Sequence, residues 1–167
     1  MPETPDGLLA RLAALGIQAE TRRHPPVFTV AESQELRGEL PGGHTKNLFL
    51  KPAKGEGPYF LATLEESRKV SVNALARIAG WGKVTMGSAE ELMAQLGVIA
   101  GAVTPLGLVN AAPGAVRFAV DAALMKDERV WVHPLSNDAS TGLAPEDLLR
   151  FLRHLGHEPV ILDFPED

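Results

Sequence analysis

The segment Gly43-His44-Thr45-Lys46-Asn47-Leu48-Phe49-Leu50-Lys51, the turn Pro52-Ala53-Lys54-Gly55-Glu56-Gly57-Pro58 and the run Tyr59-Phe60-Leu61-Ala62-Thr63-Leu64 give the plainest sign of architecture. Two apolar, β-prone runs, Thr45 to Lys51 and Tyr59 to Leu64, joined by a Lys/Gly/Pro turn, read as paired strands. Alternation along the first strand sets Lys46 on one face with Leu48 and Leu50, and Asn47 on the other. A lysine ending an inward-facing row either snorkels to the rim or lines a pocket. The residues alone leave both readings open.

Outward toward the N-terminus, Pro5, Leu8, Leu12 and Leu15 predict an amphipathic helix that stops at Gly16. Ile17 to Arg23 reads as extended, and Pro25-Pro26 bars any helix there. Thr29-Val30-Ala31-Glu32 has capping-box spacing for a short helix to about Leu36. Toward the C-terminus, a helix is expected over Ser71 to Ala79, closed by Gly80, and a strand over Trp81 to Met86. Ser88-Ala89-Glu90-Glu91 is a second capping box, opening a helix through Leu92 and Leu96 to Gly97. Val98 to Asn110 is a Gly/Pro-bearing connection. Strands are expected at Val116 to Asp121, Arg129 to His133 and Val160 to Leu162. A last helix starts near Pro145, carries Leu148, Leu152 and Leu155, and ends at Gly156. About seven strands and five helices without strict βαβ alternation predict a mixed α/β (α+β) fold. It would be a single domain over residues 1–167, with a mixed, largely antiparallel sheet packed by helices.

Composition agrees with a globular chain: of 167 residues, 45% are hydrophobic and 22% charged, and there is no cysteine. That excludes disulfides, a thiol nucleophile and thiolate-bound metal. No apolar run spans a bilayer, and the acidic N-terminus does not resemble a signal peptide, so a cytoplasmic location is expected. The net charge of −5 argues against a general nucleic-acid coat protein and against DNA binding. Charge is uneven, however. Residues 44–83 hold seven Lys/Arg against three Glu, while residues 84–167 hold five basic against twelve acidic residues. Such a basic segment is either a phosphate-binding face or an ordinary solvated surface.

The standard catalytic signatures are missing: no G-x-S-x-G, no phosphate-binding P-loop, no H-E-x-x-H. His154 and His157 read as exposed histidines near a helix C-terminus rather than metal ligands. No metal and no cofactor are expected. Four polar segments are left. They are His24-Pro25-Pro26-Val27-Phe28-Thr29-Val30-Ala31-Glu32, His44-Thr45-Lys46-Asn47-Leu48-Phe49-Leu50-Lys51, Gly101-Ala102-Val103-Thr104-Pro105-Leu106-Gly107-Leu108-Val109-Asn110, and His133-Pro134-Leu135-Ser136-Asn137-Asp138-Ala139-Ser140-Thr141-Gly142. The third is a stiff bend whose backbone can approach a ligand. The fourth reads as a polar loop of Asx and Ser/Thr turns.

In order and spacing these four blocks resemble the YbaK/ProX family of aminoacyl-tRNA deacylases, from about Leu8 to Leu162, and most closely its free-standing ProX type. Ala111 departs from the family pattern, in which an acid often follows the asparagine. The resemblance implies hydrolysis of a mischarged Ala-tRNA(Pro) by water, with the aminoacylated tRNA end as partner and a prolyl-tRNA synthetase as a second one. It implies catalytic roles for Lys46, which would fix the substrate's phosphate or ester region, and for Gly101, whose loop would face the terminal ribose and the water. His133 would be a polar wall, with a purely structural donor role as the alternative. Ala102, Thr104 and Pro105 belong to the same substrate-binding loop. Asn47 would contact the adenosine or the surroundings of Lys46, although alternation turns it the other way. Val30 and Leu48 would line the apolar pocket or simply be core. Lys51, Arg68, Lys69 and Arg77 are expected phosphate contacts along the acceptor stem. Cys-tRNA(Pro) is the alternative substrate within the fold, and a non-catalytic tRNA-end or synthetase-binding module is the alternative outside enzymology.

Overall fold

The computed structural model describes residues 2–26 and 42–164. Helix α1 (Pro5–Ala14) begins as its sequence requires, with the Thr4 side chain accepting from the Gly7 amide and Pro5 at the first helical position. Strand β1 (Glu20–Arg23) leads toward the hairpin of β2 (Gly43–Pro52) and β3 (Tyr59–Glu65), paired antiparallel from Thr45–Glu65 to Leu50–Phe60. Helix α2 (Val72–Ala79) is capped by Ser71 and stopped by Gly80 in the left-handed conformation. Short β4 (Val84–Met86) precedes α3 (Ala89–Leu96), where Ser88 and Glu91 complete a reciprocal capping box and Gly97 ends the helix. Two 3-10 turns, Ala100–Ala102 and Pro105–Asn110, fill the Gly/Pro connection. Then come β5 (Val116–Asp121), β6 (Val130–Val132), β7 (Ala139–Leu143), α4 (Pro145–His154) and β8 (Val160–Leu162).

The strands form one mixed sheet in the order β1-β7-β6-β2-β3-β5-β8, with β4 on β2. Four of the pairings are antiparallel and three parallel. Alternation assigns each central residue to one of two cores. Leu61, Val116, Phe118 and Val120 face the larger core with Leu8 and Leu12 of α1, Leu92 and Leu96 of α3, and Leu148 and Leu152 of α4. Phe60, Ala62, Leu64 and Ala119 face a second core closed by Leu75 and Ala76 of α2. Helices thus cover both faces, which is why β3 reads as a continuous apolar run. Truncating one of these buried leucines to alanine costs about 2–5 kcal/mol.

Several sequence expectations need correction. The strand expected at Trp81 begins only at Val84, because Gly80 and Gly82 both take positive φ (75° and 73°) and keep the chain turning. Ala139–Leu143, expected as a polar loop, is a fully buried strand hydrogen-bonded on both sides, to β1 and to β6. Ser140 and Thr141 are compatible with it because their hydroxyls meet His24 and Thr21. His157 is buried, not exposed: its Nε2 donates to the Leu108 carbonyl at 2.8 Å. The expected Thr29–Leu36 helix and Val30 lie outside the described residues.

One feature of the sheet creates the site. β2 and β6 pair in parallel over only two positions, Gly43–Val130 and His44–Trp131. Gly42 permits this approach, since its φ is 119° and a Cβ there would stand 2.5 Å from the Arg129 carbonyl oxygen just before β6. Beyond it β2 runs on to β4 while β6 turns into β7, and the sheet opens between them.

Candidate functional site

The opening holds a cavity of about 220 Å³. Four consecutive β2 residues, His44, Thr45, Lys46 and Asn47, line it, which a pocket on one face of a strand would not allow. The cavity lies in the plane of the sheet, along an unpaired strand edge. This is why Asn47 reaches the same space as Lys46 although the two alternate. The opposite walls come from Trp131, Val132 and His133 at the end of β6, Ser140 of β7, Ala100, Gly101 and Val103 of the 3-10 connection, and Glu66 after β3.

Each side chain is held by specific partners. Thr45 donates to the Trp131 carbonyl at 2.8 Å, bridging the splayed strands. The Lys46 ammonium donates to the main-chain carbonyl of Arg68. Among the described residues it has no carboxylate ion-pair partner, so two of its three N–H donors are left for the cavity. The Thr63 hydroxyl donates to Asn47 Oδ1, leaving the Asn47 amide hydrogens for another acceptor. His24 Nδ1 lies 2.8 Å from the Pro25 carbonyl and its Nε2 2.9 Å from Ser140 Oγ. A carbonyl only accepts, so in the neutral ring Nδ1 carries the proton and Nε2 accepts from Ser140.

His133 Nδ1 likewise faces the Ala139 carbonyl, at 3.2 Å. Burial pushes the His133 imidazole below its ordinary pKa; the Ala139 bond opposes this and the nearby His24 adds to it. The ring is therefore neutral at pH 7. It is held by a strained loop, in which Leu135 takes a φ of 70°.

Of the residues expected from sequence, the cavity gathers Lys46, Gly101, His133 and Asn47. Leu48 instead packs against the α2 core. Ala102, Thr104 and Pro105 are buried behind the wall. Thr104 caps the second 3-10 turn by accepting from the Leu106 amide at 3.2 Å, so these residues stiffen the bend that presents Gly101. Lys51 pairs with Glu91 at 2.9 Å. Arg68 forks onto buried Asp121. Lys69 and Arg77 are exposed. Glu66 and Ser140 were not singled out from sequence. Ser140 stood within a quoted block, whereas nothing local marks Glu66, which reaches the cavity because its amide bonds to the His44 carbonyl at 2.9 Å. No group of three or more His, Cys, Asp or Glu among the described residues is placed to hold a metal ion. No helix among them is long and apolar enough to cross a membrane.

Comparison with known proteins gives the family and the fold. The prolyl-tRNA synthetase associated domain-containing protein 1 of Bos taurus is 42% identical over 161 residues, spanning 94% of this chain and 93% of that one. The prolyl-tRNA editing protein ProX of Acetoanaerobium sticklandii is 31% identical over 150 residues, spanning 90% and 91%. A solved structure of a candidate trans-editing enzyme for prolyl tRNA synthetase superposes with a TM-score of 0.71 at 20% identity, covering 96% and 97%, and shares the fold. The aminoacyl-tRNA editing domain family matches residues 24–151, a span that opens at His24, includes the cavity's lining residues and ends in α4. With that match and those relatives, the chain belongs to the aminoacyl-tRNA editing domain family.

Proposed function

We propose that the chain is a trans-editing aminoacyl-tRNA deacylase that hydrolyses Ala-tRNA(Pro) by direct attack of water on the aminoacyl ester. The observation that carries the reading is the convergence of Lys46, Gly101 and His133, from three distant segments, on one small cavity. The names of the ProX relative and of the animal relatives support the same direction, with prolyl-tRNA synthetase as a partner.

An aminoacyl ester is already activated, so orientation, a placed water and stabilisation of the developing oxyanion suffice. The two free Lys46 donors hold the terminal phosphate or the ester oxygens. Gly101, lacking a side chain, lets the terminal ribose approach the wall. The His133 Nε2 lone pair accepts a hydrogen from the water or from the vicinal ribose hydroxyl that activates it. A synthetic site for proline rejects smaller alanine by only about 1–3 kcal/mol, and a second, smaller chamber supplies the missing discrimination by size. Asn47 binds near Lys46. Exposed Lys69 and Arg77 contact acceptor-stem phosphates, whereas Lys51 and Arg68 are already paired with Glu91 and Asp121. Val30 stands as an apolar contact for the amino-acid side chain, whereas Leu48 belongs to the α2 core. The cytoplasm is where such a substrate is met.

A deacylation time course on Ala-, Cys- and Pro-tRNA(Pro), with Ala-tRNA(Ala) as control, tests the proposal. Rapid loss of alanine from tRNA(Pro) alone supports it. Preference for cysteine moves the substrate but keeps the chemistry. Intact ester throughout, with tRNA still bound, would make the chain a binding module. A Lys46→Ala protein hydrolysing at the wild-type rate would remove the mechanism's centre.

A further inference from the structure

Asp121, at the C-terminal end of β5, is fully buried and does not line the cavity. Its two oxygens nevertheless accept four donors. Arg68 Nε and Nη2 form a fork on it, the latter at 2.9 Å. The Glu65 amide donates at 3.1 Å and the Ala123 amide at 2.9 Å. Three of these four donors, the Glu65 amide and the two of the Arg68 side chain, come from the two ends of one tight turn, closed by the Arg68 amide donating to the Glu65 carbonyl at 3.0 Å. The Arg68 guanidinium is covered by the Phe164 ring at 4.2 Å. Between the pinned ends sits Glu66, a cavity wall. The free carbonyl of Arg68 receives the Lys46 ammonium.

The geometry points to Asp121 as a positioning residue that sets the place of the Lys46 ammonium through the Glu65–Arg68 turn. The chain of contacts runs from a buried carboxylate, through a bidentate fork of fixed shape, to a main-chain oxygen and then to the ammonium facing the cavity. Arg68 thereby acts through both of its ends: the guanidinium anchors and the carbonyl aims. Burial opposes ionisation of Asp121, but the fork and the two amides outweigh it and hold the carboxyl below its ordinary range. The anchor is therefore charged at every pH where the site would work. Lysine is a flexible point charge on a four-carbon stem, and only an external acceptor fixes its ammonium. Among the described residues the arrangement supplies that acceptor without an ion-pairing carboxylate, so the positive charge stays available to the substrate.

The kinetic part of this inference rests on the deacylase reading; the spectroscopic part does not. Asp121→Asn keeps the volume and removes the charge. Arg68→Ala keeps the carbonyl and removes the anchor, and its half-buried side chain is the milder loss if Asp121→Asn does not fold. With ester substrate, both variants are expected to lower kcat about 10- to 100-fold with little change in KM. In a Lys46→Ala background, Arg68→Ala is expected to cost nothing further, because the group it positions is gone. Equal costs in both backgrounds would overturn the inference and leave Asp121 a purely structural residue.

Reductive methylation with ¹³C-formaldehyde reads the ammonium directly, with Lys46 assigned by its loss in Lys46→Arg. The dimethyl-Lys46 resonance is expected to move in folded Asp121→Asn or Arg68→Ala, while the Lys83 resonance stays put. An unmoved Lys46 signal would overturn the inference whatever the substrate. A wild-type protein that deacylates nothing while the signal moves would overturn the deacylase reading alone.

Discussion

The imidazole of His133 presents Nδ1 to the main-chain oxygen of Ala139 at 3.2 Å, so the lone pair of the neutral ring is on Nε2. Burial is the main cause that holds its pKa below 6.5, against the opposing Ala139 bond, with His24 nearby adding to the depression. Protonation at Nε2 removes the acceptor, so activity should fall as pH drops through a midpoint below 6.5 and be flat above it. His133→Gln should lower kcat by about 100-fold and abolish that acidic limb. A kcat–pH profile of both proteins checks this; an unchanged limb in the variant would assign it to another group.

Ser140 Oγ lies 2.9 Å from His24 Nε2, an arrangement that elsewhere activates a serine nucleophile. Here Ser140 is 6% exposed and belongs to a strand paired on both sides. Ser140→Ala should therefore retain activity within about tenfold of wild type, the size of one lost hydrogen bond. Mass spectrometry of the quenched wild-type reaction should show no aminoacyl adduct. A 10⁴-fold loss, or an alanyl adduct on Ser140, would replace direct water attack by a covalent route.

Glu91 accepts from Lys51 and from the Tyr59 hydroxyl at 2.9 Å each, and from the Ser88 amide at 2.9 Å. The Lys51 ammonium first, then the Ser88 amide and the Tyr59 hydroxyl, bring its carboxyl from 4.5 down to about 2. The folded pKa is depressed, so this contribution to stability is full above about pH 4.5 and is lost as pH falls through about 2. Urea unfolding midpoints should fall between pH 5 and pH 3 in the wild type. Glu91→Gln should start lower at pH 7 and fall less over that interval.

Lys69 and Arg77 lie exposed, one just before α2 and one within it. If they meet phosphates of the acceptor stem, the double Lys69→Ala/Arg77→Ala variant should raise KM for tRNA, leave kcat alone, and reduce the slope of log affinity against log salt by about 1.4–1.8. Binding measured from 50 to 200 mM salt checks it. An unchanged slope would move the tRNA path to another face.

How much of this was legible from sequence depends on whether the governing interactions are local. Ser71, Gly80, Ser88, Glu91 and Gly97 mark helix ends through contacts within a few residues, and those ends were read correctly. The β2–β3 hairpin was legible for the same reason. β7 was not, because Ser140, Thr141 and Gly142 have turn-like chemistry and become a strand only by pairing with β1 and β6. Alternation separated Asn47 from Lys46 correctly by face, yet it cannot show a gap in the plane of the sheet. Glu66 and the duty of Arg68 depend on Asp121, more than fifty residues away, and nothing local marks them.

The brevity of the β2–β6 pairing has a last consequence. Because one side of the chamber is bounded by β2 and the end of β6, its width on that side is a property of the scaffold, set where Gly43 meets Val130. Loop exchange would change the far wall at Ala100, Gly101 and Val103 but leave this side unchanged. Widening the chamber on that side would mean unzipping the two-residue seam, a change that would also shift Thr45 and Trp131, which clasp across it.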